Sequence, residues 1–129
     1  MAEAARILIV DDDVAWADGV AALLRLEAYA VTVAADGREA LAVLRRDPRY
    51  DIILLDIMMP DIDGMRLRMY QRQDPRLAAI PVVLVSGAGE LPERAARLGV
   101  KHCLMKPVEP ATIIELVHRL CPRRQQLPA

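Results

Sequence analysis

Five side chains stand where short apolar runs end, and their types suit one kind of chemistry. Asp11 and Asp12 follow ILIV (residues 7–10), Asp56 closes DIILLD (51–56), Ser86 closes IPVVLVS (80–86) and Lys106 closes KHCLMK (101–106). A carboxylate driven to the end of a buried run must be neutralised by the fold or used by it. Three carboxylates brought together repel, and at low dielectric they cannot all stay ionised without a cation. A hard divalent ion such as Mg²⁺ fits that need, because it takes a few carboxylates, a carbonyl and retained waters. A hydroxyl and an ammonium beside the ion match a transferred phosphoryl group, whose equatorial oxygens need neutralising while a carboxylate attacks in line. Carboxylates can serve as phosphoryl acceptors.

The elements around these residues have to bring them together. ILIV reads as a strand buried on both faces. From Val14 the period changes, and Ala17, Val20, Ala21, Leu24 and Ala28 share one helical face, with Asp18 and Arg25 opposite, Trp16 near its edge and Asp13 as N-cap. The alternation continues with AVTVAA, GREALAVLRR, DIILLD, GMRLRMYQRQ, IPVVLVS, LPERAARLG, KHCLMK and PATIIELVHRLC, which makes five strands and five helices. Such alternation predicts an α/β fold, a parallel sheet between helices with right-handed crossovers. Ligands of such sheets sit beyond the carboxyl ends of the strands, near the switch in strand order. One domain is expected over residues 1–122, with residues 123–129 a polar tail that frays.

Composition removes several alternatives. The 17 Lys and Arg balance 18 Asp and Glu, so the net charge of -1 recruits neither nucleic acid nor an anionic membrane. Cys103 and Cys121 lack metal-ligand spacing, and a 129-residue chain that is 54% hydrophobic needs no bridge, so reduced thiols in the cytoplasm are expected. The opening MAEAARILIVDDD carries an apolar run too short for a secretory signal or a membrane span. No GxxxxGK loop for nucleotide phosphates occurs.

ILIVDDD, ILLDIMMPDIDG, VVLVSGA and LMKP, in that order, resemble the receiver domain of two-component response regulators, in the manner of single-domain chemotaxis regulators. The resemblance covers about residues 6–120 and implies a flavodoxin-like (βα)5 sandwich with strand order 2-1-3-4-5. It implies that Asp56 accepts a phosphoryl group from a histidine kinase or a histidine phosphotransfer protein. It further implies Mg²⁺ on Asp12, Asp56 and the Met58 carbonyl, with Asp11 acting through water or as a second metal-side carboxylate. Ser86 and Lys106 would contact phosphoryl oxygens, and the Lys106–Pro107 bond would be cis. The result would be an altered contact with a downstream protein or an attached output domain, with autophosphorylation and autodephosphorylation as the chain's only enzymatic activities.

The pattern has departures. Cys103 stands where most relatives carry the aromatic that turns inward on phosphorylation, residue 108 is Val, and GAGELPERAARLG suggests a short, loosely held fourth helix. These favour a rival reading, a pseudo-receiver that binds proteins independently of phosphorylation. An aspartyl-nucleophile phosphatase is disfavoured because Met58 stands where its proton-donating acid belongs. Taken alone, Ser86 would be a turn former and Lys106 a solvated charge. His102 and His118 read as surface or edge residues, Met58, Met59 and Met65 as soft packing, and Glu115 with Arg119 as a surface pair. Pro60, Asp63 and Gly64 are expected to form the tight turn after Asp56, with Asp63 as a cap.

Overall fold

Side-chain alternation along three strands divides the interior into two apolar layers. In the computed structural model, which describes residues 4–58 and 64–121, Leu8, Val10, Ile53, Leu55, Val82 and Leu84 face one layer. Ile7, Ile9, Ile52, Leu54, Val83 and Val85 face the other. Both faces are therefore covered, as an all-parallel sheet requires.

The elements run β1 (Arg6–Val10), α1 (Val14–Leu26), β2 (Ala30–Ala34), α2 (Gly37–Arg46), β3 (Ile52–Leu55), α3 (Gly64–Gln73), β4 (Val82–Ser86), α4 (Leu91–Arg97), β5 (His102–Met105) and α5 (Pro110–Leu120). The strands are parallel in the order β2-β1-β3-β4-β5, the flavodoxin-like arrangement. Helices α1 and α5 supply Ala17, Val20, Ala21, Leu24, Ile113, Leu116 and Val117 to one layer. Helices α2, α3 and α4 supply Ala40, Leu41, Leu44, Leu67, Leu91 and Ala95 to the other. No described helix is long and apolar enough to cross a membrane. The tail 123–129, Met59, Pro60 and Asp63 lie outside the described residues.

Helix ends follow local chemistry. Asp13 caps α1, its carboxylate accepting from the Trp16 N–H at 3.1 Å. Asp36 caps α2 through the Glu39 N–H at 2.8 Å, while the Glu39 carboxylate accepts from the Ala35 N–H. Helix α4 is short, seven residues, and is followed by the left-handed Gly99 (φ 69°), with the Val100 N–H on the Ala95 carbonyl. Arg68 of α3 covers the Leu98 and Gly99 carbonyls. The buried Gln71 ties α3 to the β4 entry, donating to the Leu77 and Ile80 carbonyls and accepting from Arg68.

Two expectations need correction. Ala28 does not extend the apolar face of α1. It is exposed and left-handed (φ 70°), where the Ala28 N–H bonds the Arg25 carbonyl and the Tyr29 N–H bonds the Leu24 carbonyl. Those two bonds form a Schellman ending, which glycine usually occupies at this position. Ala28→Gly should therefore raise stability by about 0.5–1 kcal/mol in denaturant unfolding, since it removes a Cβ from a left-handed backbone. Glu115 and Arg119 form no ion pair among the described residues; helical spacing permits such a pair without enforcing it.

Candidate functional site

The sheet ladder does not stop where the strands do. One residue beyond β1, the Asp11 N–H donates to the Ala34 carbonyl at 3.0 Å. Beyond β3, the Asp56 N–H donates to the Val10 carbonyl at 2.9 Å, and beyond β5 the Lys106 N–H donates to the Ser86 carbonyl at 3.0 Å. These backbone bonds fix the Cα positions of Asp11, Asp56, Ser86 and Lys106 relative to one another. Because β3 lies between β1 and β4, Asp56 is central, with Asp11 on one side and Ser86 and Lys106 on the other. The strand order changes direction at β1 and β3, so the cluster sits at the switch point of the sheet.

The side chains form one network. Asp56 Oδ1 accepts from the Ser86 hydroxyl at 2.6 Å and from the Met58 N–H at 2.9 Å. The Ser86 oxygen in turn accepts from the Ala88 N–H at 3.3 Å. Lys106 Nζ lies 2.6 Å from Asp11 Oδ2 and 3.5 Å from Asp56 Oδ2. Asp11 Oδ1 accepts from the Asp13 N–H at 2.9 Å. Asp11, Asp56 and Ser86 are buried, whereas Asp12 is exposed at the rim.

Electrostatics follow from that burial. Desolvation pushes the Asp11 carboxyl above its ordinary pKa, and the nearby Asp56 charge adds to the rise. The bonds from Lys106 and the Asp13 N–H oppose it without cancelling it. Burial also works against the Lys106 ammonium, yet the bond to Asp11 and the charges of Asp11 and Asp56 hold its pKa above the usual lysine range. One carboxylate oxygen from each of Asp11, Asp12 and Asp56 lies within 4.8 Å of the others. An all-oxygen, acid-rich donor set of that span suits a hard divalent cation.

The structure thus brings together Asp11, Asp12, Asp56, Ser86 and Lys106, and the Lys106–Pro107 bond is cis. Met58 stands beside them, but it is 58% exposed, so it does not pack around the site as expected; Met65 does pack against the core. His118 lies away from the site, half-buried against Tyr29 with ring centroids 5.7 Å apart.

Two neighbours of the cluster make contacts with it that the sequence does not spell out. Trp16, expected at a helix edge on the turn that follows the acidic pair, carries its ring under Lys106, with Nζ 4.2 Å from the ring centroid. Gly64, read as a turn residue, opens α3 against the β3 exit. A Cβ there would lie 2.5 Å from Ile57 Cα and 2.6 Å from the Asp56 carbonyl oxygen. The sequence signal for Trp16 was its place three residues after the capping Asp13, which fixes its backbone next to the acidic pair.

The family model described as "Response regulator receiver domain" matches residues 7–118. The DNA-binding dual master transcriptional regulator RpaA of Synechocystis is 35% identical over 127 residues, covering 95% of this chain and 52% of the relative. The response regulator PleD of Caulobacter vibrioides is 40% identical, covering 90% of this chain and 26% of the relative. The chain thus spans about half of the first and a quarter of the second. A 14.6 kDa protein of Leptolyngbya boryana is 35% identical and is covered over 88% of its length. Among solved structures, the chemotaxis protein CheY4 of Vibrio cholerae superposes with a TM-score of 0.81 at 30% identity, covering 90% of this chain and 98% of that one.

Proposed function

Because the chain belongs to the response regulator receiver domain family, a signalling module of two-component systems, we propose that Asp56 is its phosphoacceptor. The carrying observation is the shape of the network: Asp56 Oδ1 is held by Ser86 and Met58, while among the described residues Oδ2 has only the 3.5 Å contact with Lys106. Oδ2 is therefore the oxygen free to attack. It forms an O–P bond as the N–P bond of a phosphohistidine breaks, and the departing imidazole keeps the electron pair and takes a proton from solvent. The Ser86 hydroxyl and the Lys106 ammonium then neutralise phosphoryl oxygens.

Asp12, Asp56 and the Met58 carbonyl are the proposed Mg²⁺ ligands, with Asp11 as a second metal-side carboxylate or a water-mediated one. The ion, when bound, supplies positive charge between the carboxylates and the incoming phosphoryl oxygens. The phosphodonor would be a histidine kinase or a phosphotransfer protein, and the output a changed contact with a downstream protein or an attached domain. The proposed unit is residues 1–122, cytoplasmic, with no direct nucleic-acid or membrane partner and no catalysis beyond its own phosphorylation and dephosphorylation. In a test with a small-molecule phosphodonor, intact-mass measurement should show one phosphoryl group per chain with Mg²⁺ and little after chelation. Equal labelling without the metal would remove Mg²⁺ from the proposal.

Cys103 supports a second reading. It is half-buried against the α2–α4 layer, where a small thiol has little to swing, so the module could bind partners without phosphorylation. Hydrogen exchange separates the two readings. A beryllofluoride adduct at Asp56 should alter exchange around α4 and β5 in a coupled receiver and leave it unchanged in an uncoupled one.

A further inference from the structure

We propose that Trp16 is a positioning residue for the phosphoryl-transfer site: its ring holds the Lys106 ammonium on Asp11, and Lys106 must leave that ring to reach a phosphoryl group on Asp56. The inference rests on Asp56 being the phosphoacceptor, and the experiment below keeps the two apart.

Lys106 has three N–H bonds to direct, and the described residues give it three neighbours at unequal distances. Asp11 Oδ2 is at 2.6 Å, the centroid of the Trp16 ring at 4.2 Å and Asp56 Oδ2 at 3.5 Å. The ammonium is thus drawn to the Asp11 side and falls short of a good hydrogen bond to Asp56. Trp offers the most favourable aromatic face for a cation, and the attraction grows as water is excluded. Exclusion is substantial here, since the Lys106 side chain is 19% exposed and Asp11 1%.

The ring is itself held firmly. Its backbone N–H sits on the capping Asp13 carboxylate at 3.1 Å, and the side chain is half-buried against the layer formed by α1 and α5. The Asp13 N–H in turn donates to Asp11 at 2.9 Å. A continuous chain of contacts, Asp11 to Asp13 to Trp16 to Lys106 and back to Asp11, closes on the ammonium. Removing the ring should free Lys106 toward Asp56, whereas any aromatic of adequate size should keep it parked.

The test follows the rate of phosphorylation by a small-molecule phosphodonor with Mg²⁺, read by intact mass, in wild type, Trp16→Leu and Trp16→Phe. Trp16→Leu should be phosphorylated about 5-fold faster, the fold-change that corresponds to losing a cation–π contact of ~1 kcal/mol, and Trp16→Phe should stay within about 2-fold of wild type. Tryptophan emission supplies an independent readout in wild-type protein: beryllofluoride with Mg²⁺ should shift it saturably as the cation departs, and Lys106→Met should abolish the shift. If wild type gains mass but its emission does not move, or if the Leu and Phe variants react at the same rate, the positioning role is wrong while the phosphoacceptor stands. No mass gain in wild type overturns both. Should Trp16→Leu fail to fold, the emission response and its loss in Lys106→Met decide the matter.

Discussion

Replacing Lys106 by Met is expected to cost about 2–4 kcal/mol of stability in metal-free protein at pH 7. Lys106 stands 2.6 Å from Asp11 and 3.5 Å from Asp56, and both carboxylates are buried. Methionine keeps the stem and removes the charge, leaving Asp11 uncompensated. Breaking a buried pair from one side is far more costly than replacing both partners. The pH dependence has a definite sign. The Asp11 pKa is already raised by burial, and without Lys106 it must rise further. A carboxyl raised in the folded state costs stability above its folded pKa and costs nothing below its unfolded pKa of about 3.9. The deficit of Lys106→Met should therefore be full at pH 7 and shrink as the pH falls toward 4. Adding Asp11→Asn should recover most of the loss, and saturating Mg²⁺ should recover part of it. Asp56→Asn alone should have the opposite sign and melt higher than wild type without metal, because it relieves repulsion on Asp11. Denaturant unfolding at two pH values, with and without Mg²⁺, measures all of this. A single variant within ~0.5 kcal/mol of wild type at pH 7 would mean that Lys106 is not the counter-charge of the cluster.

Gly64→Ala should destabilise the fold by about 3 kcal/mol and slow phosphorylation roughly 10-fold or more. Elsewhere in a helix the same change usually gains stability, because alanine is the better helix former. Gly19 in the middle of α1 provides that contrast: a Cβ there meets nothing within 4 Å, so Gly19→Ala should gain about 0.5–1 kcal/mol. At Gly64 the added carbon would lie 2.5 Å from Ile57 Cα, 2.6 Å from the Asp56 carbonyl oxygen and 2.9 Å from Ile57 Cγ2. Two of those atoms are backbone and cannot rotate away. Either α3 retreats from the sheet or the Asp56 peptide moves, and the second shifts the Asp56 carboxylate itself. Urea unfolding and phosphorylation rates of the two variants form the test. Equal effects of the two substitutions would show that the start of α3 is not pressed against Asp56.

The contrast between these glycines marks what the sequence could convey. Strand ends were legible because buried parallel strands are nearly continuous apolar runs, so the first polar residue after each run had to lie at the carboxyl end of the sheet. Asp11, Asp56, Ser86 and Lys106 were found that way. Asp13 as a cap was legible because its hydrogen bond is local. Gly64 looked like a turn residue, since the distance between α3 and the β3 exit is a tertiary quantity. Trp16 was placed at the edge of a helical face because periodicity reports direction around an axis and says nothing of what lies above it. Ala28 matched the helical period while ending the helix, because its backbone conformation carries no sequence mark when the residue is not glycine. Gln71 gave no signal at all: its three partners come from α3 and from the segment leading into β4.

The proposed role of the geometry at the end of β3 is to make Asp56 a phosphoryl acceptor. Its most direct test is intact-mass measurement of wild type and Asp56→Asn after the same exposure to a small-molecule phosphodonor and Mg²⁺, with far-ultraviolet circular dichroism confirming that both are folded. An amide keeps the shape of the carboxylate and is a far poorer nucleophile. One added phosphoryl group is expected on wild type and none on Asp56→Asn; stoichiometric labelling of the folded Asn variant would overturn the assignment of Asp56.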